Sequence, residues 1–159
     1  MIQKSKLFQL CFLVLHVAEM GIHGAWWRRF SNGDFIIGAL FPVTSGRKCD
    51  HLNQNGIIEA ESLVFAVNMI NRNKTFFGNI TLGYDLRDTC QKVKIASEQA
   101  IDLVFERKRE KNCTSSKIAG DKIVAVIGPS TFEAVIATSA IFSSRKKVQV
   151  RKTTQFSLN

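Results

Sequence analysis

Histidine is scarce, at 3 residues in a chain of 159. Only His23 and His51 stand near or within the part that would remain after removal of a leader. No Gly-x-Ser-x-Gly elbow, His-Glu-x-x-His pair, phosphate loop or paired metal-ligand spacing occurs. These absences remove the usual supports for hydrolytic, phosphoryl-transfer and metal chemistry. The sequence reads as a binding module, not an enzyme, with no cofactor and no metal expected. Beyond the first residues there is no apolar run long enough for a membrane helix, which takes about 20 residues. There is no low-complexity segment, and no internal repeat beyond a strand–helix unit.

The amino terminus is the exception to this evenness. Lys4 and Lys6 precede an apolar run, Leu7 to Ala18, and Gly21, Gly24 and Ala25 follow. That is the charged, apolar, small-residue order of a secretory signal peptide. Residues 1–24 are read as the signal, 25–32 as a lead and 33–159 as the body. Sequons at Asn73-Lys74-Thr75, Asn79-Ile80-Thr81 and Asn112-Cys113-Thr114 fit export. The expected route is the secretory pathway.

The formal charge is +9, and loss of Lys4, Lys6 and Glu19 with the leader leaves +8. The basic residues cluster at Arg107-Lys108-Arg109 with Lys111, and at Arg145-Lys146-Lys147 with Arg151-Lys152. Neither cluster is interleaved with aromatics, so nucleic acid is not the expected partner. The first suits the end of a helix, where cations oppose the dipole.

Cys11 leaves with the signal, so Cys49, Cys90 and Cys113 remain. An odd number in an oxidising compartment suggests one internal bridge and one thiol for another chain. Three pairings are open. Cys90 follows one strand and Cys49 lies in a loop after another, and neighbouring parallel strands would bring those ends together. Cys113 sits in the polar stretch "KNCTSSK", which suits an exposed thiol.

"FIIGALF", Phe35 to Phe41, is a continuous apolar run of the kind a buried parallel strand shows. Residues 42–55 read as a loop. Ile57, Ala60, Val64, Val67 and Ile70 recur at steps of three and four, a helical stripe ended by "NRNK". Ile80 to Leu86 reads as a second strand. Val93, Ala96, Ala100 and Leu103 mark a second helix running to about Glu110. "KIVAVIG", Lys122 to Gly128, is a third strand, Thr131 to Ser143 a third helix, and "KVQV" opens a fourth strand. Strand and helix alternate, which predicts an α/β fold with a parallel sheet and flanking helices.

In open parallel sheets ligands lie beyond the carboxyl ends of the strands. The loops after Phe41, Leu86 and Gly128 are therefore the candidates. "IGPST" leads a strand through Gly128-Pro129 into a helix beginning at Ser130 and Thr131, where free N–H groups and hydroxyls could seat an anion. The plainer reading is that one of the two hydroxyls caps the helix. Asp85 and Asp88 read as turn formers at a strand end.

In order along the chain, "GDFIIGALFPV", Cys49, "GIIEAESLVFAVNMINRN", "NITLGYDLRDTC" and "VAVIGPS" together resemble the start of the extracellular domain of class C G-protein-coupled receptors. That family includes the metabotropic glutamate, calcium-sensing and taste receptors. The resemblance covers Gly33 to Ser130, and "VQVRKTTQFSLN" is similar to the family's next strand and ligand loop. It implies part of the first lobe of a periplasmic-binding-protein type I-like clamshell. It implies a bridge between Cys49 and Cys90, and at Cys113 a bridge between protomers. It also implies a small, often amino-acid, ligand held by hydroxyls and amides after the third and fourth strands. Ser130 and Thr131 match the first set, and Thr153 or Thr154 the second.

Two departures qualify that ligand set. Glutamate-binding members carry an arginine three residues past the opening glycine of the first helix, where this chain has Glu59, which argues against glutamate. The serine used in many members falls near Phe132.

The expected role belongs to a whole receptor at the cell surface, closing on its ligand as a homodimer or heterodimer and reaching a G protein only through a membrane domain. The incomplete lobe is expected to be marginally stable and prone to aggregate alone. Other readings are a truncated, secreted decoy, or the same clamshell from an ionotropic glutamate or guanylyl-cyclase receptor.

Overall fold

The structure, a computed structural model, describes residues 27–105 and 122–151. The strands are β1 (Arg28–Ser31), β2 (Phe35–Phe41), β3 (Thr44–Ser45), β4 (His51–Leu52), β5 (Leu82–Asp88), β6 (Ile123–Ile127) and β7 (Val148–Val150). The helices are α1 (Gln54–Arg72), the short α2 (Lys74–Phe77), α3 (Val93–Phe105) and α4 (Phe132–Ser144).

The main sheet has the order β1-β5-β2-β6-β7. β2 lies at its centre, parallel to both β5 and β6, and β7 is parallel to β6. Apolar side chains at nearly every position of β2 are usable because both faces of the strand are covered. Ile36 and Leu40 point to one side and pack with Ala100, Leu103 and Val104 of α3, Phe142 of α4, and Ile123 and Val126 of β6. Ala39 and Phe41 point to the other and pack with Ala60, Val64 and Val67 of α1 and Tyr84 and Leu86 of β5. The period-two alternation of one strand thus feeds two cores.

The helical stripe of α1 is buried at Gly56, Ala60, Val64 and Val67, and Asn53 caps its start by accepting the Asn55 N–H at 3.2 Å. Asn73 ends α1 and starts α2.

Four features depart from the sequence reading. The stretch 42–55 is not only loop: it holds the β3–β4 antiparallel ladder and the first two residues of α1, Gln54 and Asn55. The second strand begins and ends two residues later than expected, at Leu82 and Asp88. Asn71 sets its start, because its side chain exchanges two 2.9 Å bonds with the Leu82 backbone. Arg28–Ser31, within the stretch read as a lead, forms an antiparallel strand on β5, so the sheet is mostly parallel.

The fourth departure concerns the two aspartates. Asp85 and Asp88 are buried within β5; Asp85 forms no turn, whereas Asp88 ends the strand and accepts the Cys90 N–H two residues on, the turn expected of it. Asp85 accepts from Arg28 Nε and Nη2 at 2.9 and 2.8 Å, and from Arg87 Nε and Nη2 at 3.3 and 3.1 Å. Those cations stabilise a carboxylate that would otherwise be too costly to bury.

Candidate functional site

Because β2, β5 and β6 run parallel, their carboxyl ends emerge on one side of the sheet. From β2 the chain passes to β5 on one flank and later to β6 on the other. Its helices follow suit: α1 joins the core on one face, while α3 and α4 join the core on the opposite face. The loops leaving β2 and β6 therefore diverge. That divergence is the topological switch point at which open α/β sheets form a crevice.

The wall beyond β2 and β5 is braced. Thr89 N–H donates to the Phe41 carbonyl at 2.9 Å. Asp88 accepts from the N–H groups of Thr44 at 3.0 Å and Cys90 at 2.9 Å, and from the Thr44 hydroxyl. Cys49 and Cys90, the pair that the family resemblance implies, are joined by a disulfide with a Cα–Cα distance of 5.5 Å. Lys92 Nζ donates to the Arg47 carbonyl at 2.6 Å. The β3–β4 hairpin is thus pinned from β5 by a carboxylate, a disulfide and an ammonium group.

The other wall starts at Gly128. Its φ of 88° lies in the left-handed region, and a Cβ there would stand 2.3 Å from the Leu40 carbonyl oxygen, so glycine is required. The Gly128-Pro129 peptide is cis. Gly128 N–H donates to the Val150 carbonyl at 2.8 Å, and Gln149 Nε2 donates to the Gly128 carbonyl at 3.0 Å. These bonds tie β7 to the turn. Gln149 also donates to Thr138 of α4 at 2.9 Å.

Ser130 and Thr131 both stand at this wall, but neither caps the helix through its side chain. Thr131 occupies the cap position with extended backbone (φ −99°, ψ 145°), makes no side-chain cap bond, and is exposed. Ser130 turns across the crevice and donates its hydroxyl to Glu59 Oε2 at 2.8 Å. Glu59 reaches that point because α1 starts close to the loop after β2. The alpha carbon of Gly56 is so near Pro42 that a Cβ would stand 2.0 Å from the Pro42 carbonyl oxygen.

Glu59 and Ser130 thus meet where the switch point opens, from positions 71 residues apart. Sequence reasoning weighed each alone and missed their contact; no local spacing signals it. Thr153, Thr154, Asn112 and Cys113 lie outside the described residues. Asn73 and Asn79 are exposed and precede β5, which puts them at the opposite, amino-terminal end of the sheet.

The family model described as "Receptor family ligand binding region" matches residues 58–157. Among curated proteins, metabotropic glutamate receptor 8 of Homo sapiens is 32% identical over 133 residues, covering 75% of this chain and 14% of the receptor. Metabotropic glutamate receptor 4 of Rattus norvegicus is 31% identical over 133 residues, with the same coverage. Taste receptor type 1 member 3 of Homo sapiens is 27% identical over 127 residues, covering 70% of this chain and 15% of the receptor. The chain therefore matches about one seventh of the length of these relatives. With most of its length matched by the family model and its relatives drawn from one receptor class, the chain belongs to the receptor-family ligand-binding regions, as an extracellular ligand-binding segment of the class C G-protein-coupled receptor type.

Proposed function

We propose that the chain supplies first-lobe contacts to a small, amino-acid-like ligand bound beyond the carboxyl ends of β2, β5 and β6. The observation that carries this reading is the hydrogen bond from Ser130 to Glu59 across the switch point, which puts a hydroxyl and a carboxylate at the mouth of the crevice. Thr131 and the first N–H groups of α4 are the assigned contacts for the ligand's α-carboxylate, while the Ser130 hydroxyl, which donates its one proton to Glu59, is left to accept from the ligand's α-ammonium group. Thr153 or Thr154 is assigned a place beside them. Glu59 sets a negative charge at this mouth, so a ligand with a second carboxylate directed there is disfavoured. Neutral or cationic side chains fit.

In a whole receptor this lobe would pair with its counterpart in another protomer, with Cys113 as the covalent link. It would stand on the outer face of the cell membrane after passage through the secretory pathway. Signalling to a G protein is proposed for that whole receptor.

The test is chemical-shift mapping of the isotope-labelled chain against single amino acids. A neutral or basic amino acid is expected to move the resonances of residues 128–135 and of Glu59. Ser130→Ala is expected to weaken that ligand by about fivefold to tenfold, the worth of one net hydrogen bond. Shifts confined to other regions, or an unchanged affinity in Ser130→Ala, would overturn the assignment.

A further inference from the structure

The two sequons at the amino-terminal end of the sheet are held in different ways. In the first, Thr75 turns back on its own asparagine: its N–H and hydroxyl donate to Asn73 Oδ1 at 3.1 and 2.6 Å. Those bonds are local: Asn73 caps α2, and Thr75 lies in its first turn. In the second, the bonds of Thr81 go not to Asn79 but to the start of β2. Its hydroxyl and its N–H both donate to Asp34 Oδ2, each at 2.8 Å. Its carbonyl accepts the N–H groups of Asp34 at 2.9 Å and Phe35 at 3.3 Å. Every hydrogen-bonding group of Thr81 is therefore committed to residues at the start of β2, and Asp34 itself lies 47 positions away in sequence. Asn79 remains exposed beside this lock.

We propose that Asn79 is an N-glycosylation site closed by folding, with Asp34 as the residue that closes it. Sugar transfer then has to precede the pairing of β2 with β5. In the transfer, Asn79 Nδ2 attacks C1 of the first sugar of a lipid-diphosphate-linked oligosaccharide. The C1–N bond forms as the C1–O bond to the diphosphate breaks. The lipid diphosphate departs with the bonding pair, and the amide proton passes to a base of the oligosaccharyltransferase. That enzyme reads the hydroxyl two residues beyond the asparagine, and Thr81 cannot offer its hydroxyl while it donates to Asp34. Asn73 differs, because Thr75 can release its hydroxyl without disturbing any strand pairing. A glycan at Asn79, once attached, projects from the end of the sheet opposite the crevice and leaves the crevice open.

The experiment uses the full chain, made without glycans and oxidised so that Cys49 and Cys90 are joined. It is incubated with an oligosaccharyltransferase and a synthetic lipid-linked oligosaccharide, and each site's occupancy is read by mass spectrometry. Asp34→Ala is run beside the wild type, with circular dichroism and the Cys49–Cys90 bridge as checks on the fold. Asp34→Asn is the second variant, which keeps the side chain's size while weakening its acceptor strength. Asn79 occupancy is expected to rise by about tenfold or more in Asp34→Ala, as loss of charge-assisted bonds to Thr81 implies. Occupancy at Asn73 should hold constant. If Asp34→Ala unfolds, both sites rise together and Asp34→Asn decides, with a smaller rise at Asn79 alone. Equal modification of Asn73 and Asn79 in the folded wild type would overturn the proposal. So would Asn79 occupancy indifferent to both substitutions.

Discussion

Asp34 holds the starts of β2 and β5 together, and its partners hold its carboxyl below the ordinary value of 3.8. The backbone and hydroxyl bonds from Thr81 are the main cause, and the Lys122 ammonium adds attraction. A depressed carboxyl favours the folded chain above the ordinary value, and that benefit is lost as the pH falls through the depressed one. Asp34→Asn should therefore cost stability near neutrality, and the gap to wild type should close below about pH 4. Urea midpoints of both proteins along an acid series check this; a gap that stays constant with pH would refute it. Asp85 and Asp88 suit a turn when judged by type alone. Arg28 and Arg87 make Asp85 a buried strand residue instead, whereas Asp88 does turn the chain by accepting the Cys90 N–H, with Thr44 as its second partner.

At the scale of elements, β2 and α1 were the most legible. A continuous apolar run and a three-and-four stripe state their own burial, since each periodicity is local. The sequence pattern sets β5 two residues too early at each end, because Asn71 and Asp88, not propensity, decide where it starts and stops. β7 is the outermost strand on its side among the described residues. Val148 and Val150 are 62% and 49% exposed, on the face they share with Ala125 and Ile127. Helix α1 packs on that side of the sheet over β2 and β5, and these valines lie outside its core cluster. An apolar strand at an edge invites association. Val148→Lys with Val150→Lys should reduce self-association of the chain in light scattering while shifting the stability by no more than about 0.5 kcal/mol. Undiminished association would show that another surface is responsible.

For the whole molecule, the proposed roles of the cysteines separate folding from assembly. The Cys49–Cys90 bridge ties the hairpin to β5 and belongs to the lobe itself. Cys113 is the proposed link between chains. The secreted, deglycosylated wild type is expected to run as a dimer without reductant and as a monomer with it, and Cys113→Ser as a monomer in both. A reductant-sensitive dimer that survives Cys113→Ser would move the link to another cysteine.

From the sequence alone came the alternation of strands and helices, the burial of both faces of the central strand, and the receptor-class motifs. All of these are carried by residues a few positions apart. The contacts that shape the candidate site and tie the sheet together were not readable in that way. Glu59 meets Ser130 across 71 positions, Asp34 meets Thr81 across 47, and Arg28 meets Asp85 across 57. In each case a polar side chain takes its role from a partner that only the folded sheet brings within hydrogen-bonding distance, and no local pattern encodes that partner.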